Sequence, residues 1–300
     1  MDLMYKVSKV ILKGFGALCE PGDQKRLAGQ VYPCMQEYND IPYIDDGDKM
    51  HLLDVYVPTG TSATDKLPVI IDFHGGGWSY GDKDLIKNHC LHMCEKGFVV
   101  FNCSYRLAPE FKIDEQMQDC MAAMNFIKTQ LENYPCDVNR IYLVGDSAGG
   151  QLASHTAAAN LSDDICKAYG MERAGLNVKG VSLISPAAYL QFGFPFDYYL
   201  AAAFKDDFKQ APYYKYLNLD ACLDAVENYP PTIVFTSLMD VIANKQSVQA
   251  YKDLQERNIE SKLDFQLHPK LMHEYTIMDP DERHGARALN LIADWFNQHK

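Results

Sequence analysis

The hexapeptide GDSAGG at positions 145–150 carries the most chemistry in this sequence. It follows the apolar run IYLV and precedes the helix-compatible QLASHTAAA, so its serine is expected on a tight turn from strand to helix. Such a turn lifts the hydroxyl of Ser147 clear of a sheet. It is so cramped that small neighbours are required, here Gly145, Ala148 and Gly149. The helix that begins there also aims unpaired N–H groups and a positive dipole end at developing negative charge. A second glycine string, HGGGW at 74–78, comes directly after the β-rich run PVIIDF. Consecutive glycines let backbone approach a ligand and turn its N–H groups inward, as acyl transfer requires where a carbonyl oxygen becomes anionic. Ser147 is therefore the expected nucleophile, with the N–H groups of Gly76, Gly77 and Ala148 as oxyanion donors. Each such donor is worth about 3 kcal/mol. His74 reads as a hydrogen-bonder that shapes the glycine loop rather than as a general base, and Asp146 as a stabiliser of the serine turn.

These residues need a rigid scaffold, and the chain has the composition for one. Its 300 residues are 47% hydrophobic, enough to fill a sizeable core. From about residue 51, short β-rich runs alternate with helical patterns: HLLDVYV, PVIIDF, FVVFNCS, RIYLVG, VSLIS, TIVFTS and KLDFQL read as strands. Between two of them, Met117, Met121, Met124, Ile127 and Leu131 fall on one helical face. Strand and helix in alternation predict an α/β class with a mostly parallel sheet covered on both faces. With no repeat or low-complexity linker, residues 1–300 are read as a single domain. Two stretches break the rhythm, about 1–45 and 186–230, and are expected to form a cap. In the first, Met4, Val7, Ile11, Leu12 and Phe15 trace an amphipathic helix with one buried face, and Lys6, Lys9 and Lys13 interrupt any signal-peptide run. The second is dense in Phe and Tyr, which either pack among themselves or line a ligand pocket.

The formal net charge of −12 is spread along the chain and argues against nucleic acid as a partner. Nine cysteines without a CxxC pair read as reduced, mostly buried thiols of a cytoplasmic protein, with no metal site expected. No segment reaches transmembrane length, so stable membrane insertion is not expected.

HGGGW, then YRLAPE at 105–110, then GDSAGG resembles the hormone-sensitive-lipase-like esterases of the α/β-hydrolase superfamily, from about residue 50 onward. The resemblance implies the α/β-hydrolase fold with a helical cap, a short-chain carboxylester hydrolase and no cofactor. It also implies a triad completed in the order acid, then histidine. Asp240, in the loop after TIVFTS, matches the acid, with Asp264 as the weaker substitute. His273 in LMHEY matches the base, ahead of His268 and His284. Relatives carry glycine after this histidine, whereas Glu274 stands here. Its carboxylate would raise the basicity of His273, contact a polar substrate group, or face solvent. Trp78, Phe194, Tyr198 and Tyr199 are the expected substrate contacts. Acetyl or feruloyl esters of carbohydrates and amides remain open as substrates. So does a non-catalytic binding role, and the assembly is read as monomer or homodimer.

Overall fold

The structure is a computed structural model that describes residues 3–30, 32–192, 196–278 and 282–300. Among these residues the strands are β1 (Gln36–Pro42), β2 (Leu52–Val57), β3 (Leu67–Phe73), β4 (Val99–Cys103), β5 (Cys136–Asp146), β6 (Val178–Ile184), β7 (Thr232–Ser237) and β8 (Ser261–Gln266). The helices are α1 (Leu3–Ala28), α2 (Lys87–Glu95), α3 (Ile113–Gln130), α4 (Ser147–Ala159), α5 (Asp163–Tyr169), α6 (Asp197–Leu200), α7 (Leu219–Asp224), α8 (Asn244–Glu256), α9 (Tyr275–Met278) and α10 (Arg283–Gln298).

The strands form one sheet in the order β1-β2-β4-β3-β5-β6-β7-β8. β1–β2 and β2–β4 pair antiparallel, and every other pair is parallel. Side chains alternate across the sheet and so feed two cores. Val69, Ile71, Phe73, Ile141 and Leu143 join the apolar faces of α3, α4 and α8 on one side. Ile70, Tyr142 and Val144 meet α2 and α10 on the other. The α3 face packs as its spacing predicts, with Met117, Met121, Met124, Ile127 and Leu131 all buried.

The cap differs from its expected boundaries. Residues 36–42 are not cap but the edge strand β1, whose burial pattern is exposed at every position save Ile41. Without alternation it offers no period-2 signal, which is why the sequence reading passes over it. The helix expected near the N-terminus is α1, lying against α6 and Ala201–Ala203. Its buried side turns on Ser8 and Leu12, with Met4, Val7 and Phe15 partly covered, while Ile11 is 38% exposed and outside the face assigned to it. The hydroxyl of Ser8 donates to the Tyr199 carbonyl at 2.7 Å and accepts from the Ala202 N–H at 2.8 Å, pinning α1 to the second cap segment. No helix among the described residues is long and apolar enough to cross a membrane.

Candidate active site

The centre of the site is the junction of β5 and α4. Ser147 adopts φ 48, in the left-handed region that non-glycine residues rarely occupy. The turn closes so tightly that a Cβ on Gly145 would meet the Gly149 carbonyl, and one on Gly149 would meet the carbonyls of Phe73 and His74. Small residues are thus required at both flanks, because α4 starts in backbone contact with the end of β3.

Residues distant in sequence then converge on the hydroxyl. His273 Nε2 lies 2.9 Å from Ser147 Oγ, and His273 Nδ1 lies 2.9 Å from Asp240 Oδ1. Asp240 is fully buried in the loop after β7, where its Oδ1 also accepts the N–H groups of Ile242 and Ala243. Burial by itself would raise the Asp240 carboxyl. The hydrogen bond and charge of His273, with the Ala243 N–H, hold it below the usual aspartate range. Burial also works against a charged imidazole, but the charge of Glu274 and the hydrogen bond and charge of Asp240 outweigh it, leaving His273 above an ordinary histidine.

The rival residues are employed elsewhere. Asp264 on β8 accepts from Tyr275 and from both terminal guanidinium nitrogens, Nη1 and Nη2, of Arg287. His268 is exposed and its ring lies beside that of His284, 4.8 Å between centroids. His74 is fully buried, its Nδ1–H donates to the Gly75 carbonyl at 2.6 Å, and burial pulls its pKa down to about 4, so it is a neutral brace within the loop.

The glycine loop faces the serine across a cavity of about 580 Å³ that Gly76, Gly77, Trp78, Ser147 and His273 help to line. Gly76 and Gly77 have φ values of 110 and 58, and a Cβ on Gly76 would meet the Tyr80 carbonyl, so glycine is obligatory there. Among the described residues, the N–H groups of Gly76 and Gly77 donate to no protein acceptor. Ala148, buried in the first turn of α4, has an N–H without an intrahelical acceptor by helix geometry. The loop is held from three sides. Asp146 Oδ1 accepts the Gly75 N–H at 3.0 Å, Tyr199 Oη donates to the Gly77 carbonyl at 2.8 Å, and Tyr105 Oη donates to the His74 carbonyl at 2.7 Å.

The YRLAPE string belongs to this bracing. Tyr105 stacks on the His74 ring, the Ala108 N–H donates to the Trp78 carbonyl, and Arg106 makes a two-pronged bond to buried Asp119.

The expected substrate contacts divide. Tyr199 and Trp78 line the cavity, although Trp78 is 7% exposed and its indole N–H is spent on Gln151. Tyr198 is 41% exposed and not among the lining residues, because on α6 it points away from its neighbour Tyr199. Phe194 lies outside the described residues. Most other cap aromatics pack on one another: Phe192, Phe204 and Phe208 have ring centroids 4.4 to 5.7 Å apart. The walls that sequence reasoning missed are Phe15 and Cys19 of α1 and Tyr189 and Leu190 of the second cap segment, while Phe196, one of its crowded aromatics, lines the cavity as well. Phe15 was legible as part of a buried helical face, but nothing in the spacing indicated what that face covers. Among the described residues no cluster of three metal-ligating side chains occurs, and all nine cysteines are free thiols.

The sheet order and the serine on its strained strand-to-helix turn, with the Ser–His–Asp line above them, are the geometry of the α/β-hydrolase fold. Residues 53–186 match the family model described as BD-FAE. A probable carboxylesterase 6 of Arabidopsis thaliana is 34% identical over 144 residues, 44% of this chain and 40% of that protein. Arylacetamide deacetylase of Oryctolagus cuniculus is 34% identical over 140 residues, again 44% of this chain but 32% of the relative. These matches therefore span less than half the length of either curated relative. Among solved structures, Esterase B from Lactobacillus rhamnosis, inhibited by a tributyrin phosphonate, superposes with TM-score 0.91 at 23% identity, covering 99% of this chain and 96% of that one. In sequence over residues 53–186, and in fold along nearly its whole length, the chain is thus similar to esterases.

Proposed function

We propose that this protein is a serine carboxylester hydrolase acting on short-chain acyl esters through an acyl-enzyme. The observation that carries the reading is the continuous hydrogen-bond line Ser147–His273–Asp240 on the floor of a cavity whose lining is mainly apolar. His273 takes the Ser147 proton as Oγ attacks the ester carbonyl, and Asp240 orients the ring and stabilises its charged form. The N–H groups of Gly76, Gly77 and Ala148 hold the oxyanion. His273 then protonates the departing alcohol, and water deprotonated by His273 releases the acid and restores the serine. None of these steps calls for a metal or an organic cofactor.

The names of the relatives support esters as the bond cleaved, and the phosphonate bound by Esterase B is a tributyrin analogue, which favours short acyl chains here. Arylacetamide deacetylase among the relatives makes anilides the second substrate class worth assaying. Nine free thiols fit a reducing, cytoplasmic setting.

The test is hydrolysis of p-nitrophenyl esters from acetate to palmitate, with p-nitroanilides alongside, by wild type and Ser147→Ala. Turnover of acetate or butyrate that falls with chain length and drops at least about 10³-fold in the variant is expected. Activity that survives Ser147→Ala, or no ester turnover by the wild type, refutes the proposal.

A further inference from the structure

The family pattern places glycine after the base histidine, yet here Glu274 occupies that position with φ 57, a left-handed backbone conformation that glycine adopts freely and other residues rarely do. A residue held in a glycine conformation at a reacting centre calls for a compensating role. Its side chain turns inward and lines the cavity beside Ser147 and His273. Glu274 Oε1 lies 3.5 Å from His273 Nε2, the same nitrogen that faces Ser147 Oγ, while Asp240 holds the opposite ring nitrogen. A second carboxylate therefore stands at the proton-transfer edge of the imidazole, where the attacking water of the second half-reaction must enter.

The carboxyl is fixed in place. The Glu274 N–H donates to Ser185 Oγ, and its side chain hydrogen-bonds to Asp146, whose Oδ1 accepts the Gly75 N–H. A Cβ on Gly75 would meet oxygens of both carboxyls, so glycine at 75 makes room for the pair. Burial, and then the charge of the neighbouring Glu274, push the Asp146 carboxyl well up, which favours its neutral form beside the oxyanion. Glu274 Oε1 faces His273.

Resting on the esterase reading, we infer that Glu274 holds the hydrolytic water of the acyl-enzyme. One O–H of that water donates to His273 Nε2 and the other to Glu274 Oε1. At a nitrogen-to-oxygen spacing of 3.5 Å, one molecule can reach both at ordinary hydrogen-bond lengths. The water oxygen bonds to the acyl carbon, its proton passes to Nε2, and the bond from the acyl carbon to Ser147 Oγ breaks. Oγ then recovers the proton from Nε2, leaving free acid and serine. Glu274 accepts a hydrogen bond throughout and takes no proton.

This role separates from a purely electrostatic one. A carboxylate that only stabilised the imidazolium would favour acylation and deacylation alike, because His273 is charged in both transition states. A water holder acts on deacylation alone. The experiment is stopped-flow and steady-state hydrolysis of p-nitrophenyl acetate by wild type, Glu274→Gln and Glu274→Gly, with thermal melts. Glu274→Gly relieves the backbone and should melt no lower than wild type. It should keep kcat/KM within about twofold while kcat falls about tenfold or more, with a burst of one p-nitrophenol per site. Glu274→Gln, whose amide oxygen still accepts, should recover part of the loss. Added methanol should capture a larger share of the acyl group in Glu274→Gly than in wild type. A parallel fall of kcat and kcat/KM, or no change in either, overturns the inference while leaving the esterase reading intact. Wild type that shows no Ser147-dependent release removes the reading itself.

Discussion

In the proposed mechanism His273 must be neutral to accept the Ser147 proton, and its surroundings favour the charged form. The sign follows directly: a base whose pKa is raised loses activity at a higher pH than an unperturbed one as acid is added. The acid limb of kcat/KM for a neutral ester is therefore expected above the ordinary histidine value of about 6.5, and a midpoint below 6 in a pH–rate profile would contradict it. Asp240→Asn removes the charge that supports the imidazolium and disturbs the tautomer that keeps Nε2 free. By analogy with the established serine protease triad, kcat should fall by roughly 10⁴-fold with the fold intact, as circular dichroism would check. At this scale much was legible beforehand. Ser147 announces itself through its small neighbours, and Asp240 and His273 through the order that the resemblance to the esterases implies. Glu274 was visible only as a departure from pattern. Its partner Asp146 lies 128 positions earlier in the chain, and no local spacing connects them.

Between elements, the decisive contact is the approach of α4 to the end of β3. Gly149→Ala would drive a methyl group into the carbonyls of Phe73 and His74, both of them backbone and unable to rotate away. The expected loss is at least about 2 kcal/mol, read as a lower urea midpoint together with loss of ester turnover. The cap acts differently. Phe15 on α1 packs edge-on against Tyr80 and Tyr199 and closes one wall of the cavity. Phe15→Ala should lengthen the preferred acyl chain in the p-nitrophenyl series, and an unchanged chain-length profile would show that this wall does not meet the acyl group. Strands β2 to β8 were readable because their β-rich runs are bounded by turns and, β8 excepted, largely buried. β1 was not, since an exposed edge strand such as QEYNDIP gains its pairing from β2 and not from any hydrophobic period of its own.

Over the whole molecule, the excess of acidic residues sets a repulsive field around a cavity that itself contains Asp23, Asp146 and Glu274 beside Arg26. An anionic ester such as p-nitrophenyl hemisuccinate should be turned over with a lower kcat/KM than the neutral butyrate. That deficit should shrink as sodium chloride rises from about 10 mM to 500 mM. Equal salt responses for the two esters would mean that Arg26 offsets the field at the site. The sequence by itself determined the alternating sheet-and-helix scaffold, the serine turn and the glycine loop. Each rests on periodicity or on local backbone demands that a few adjacent residues express. Only the tertiary structure decided that α1 closes the cavity, that Tyr199 rather than Tyr198 faces it, and that Glu274 meets both Asp146 and His273. Those are contacts between segments far apart in the chain, selected by how the helices pack on the sheet, and no window of sequence contains both partners.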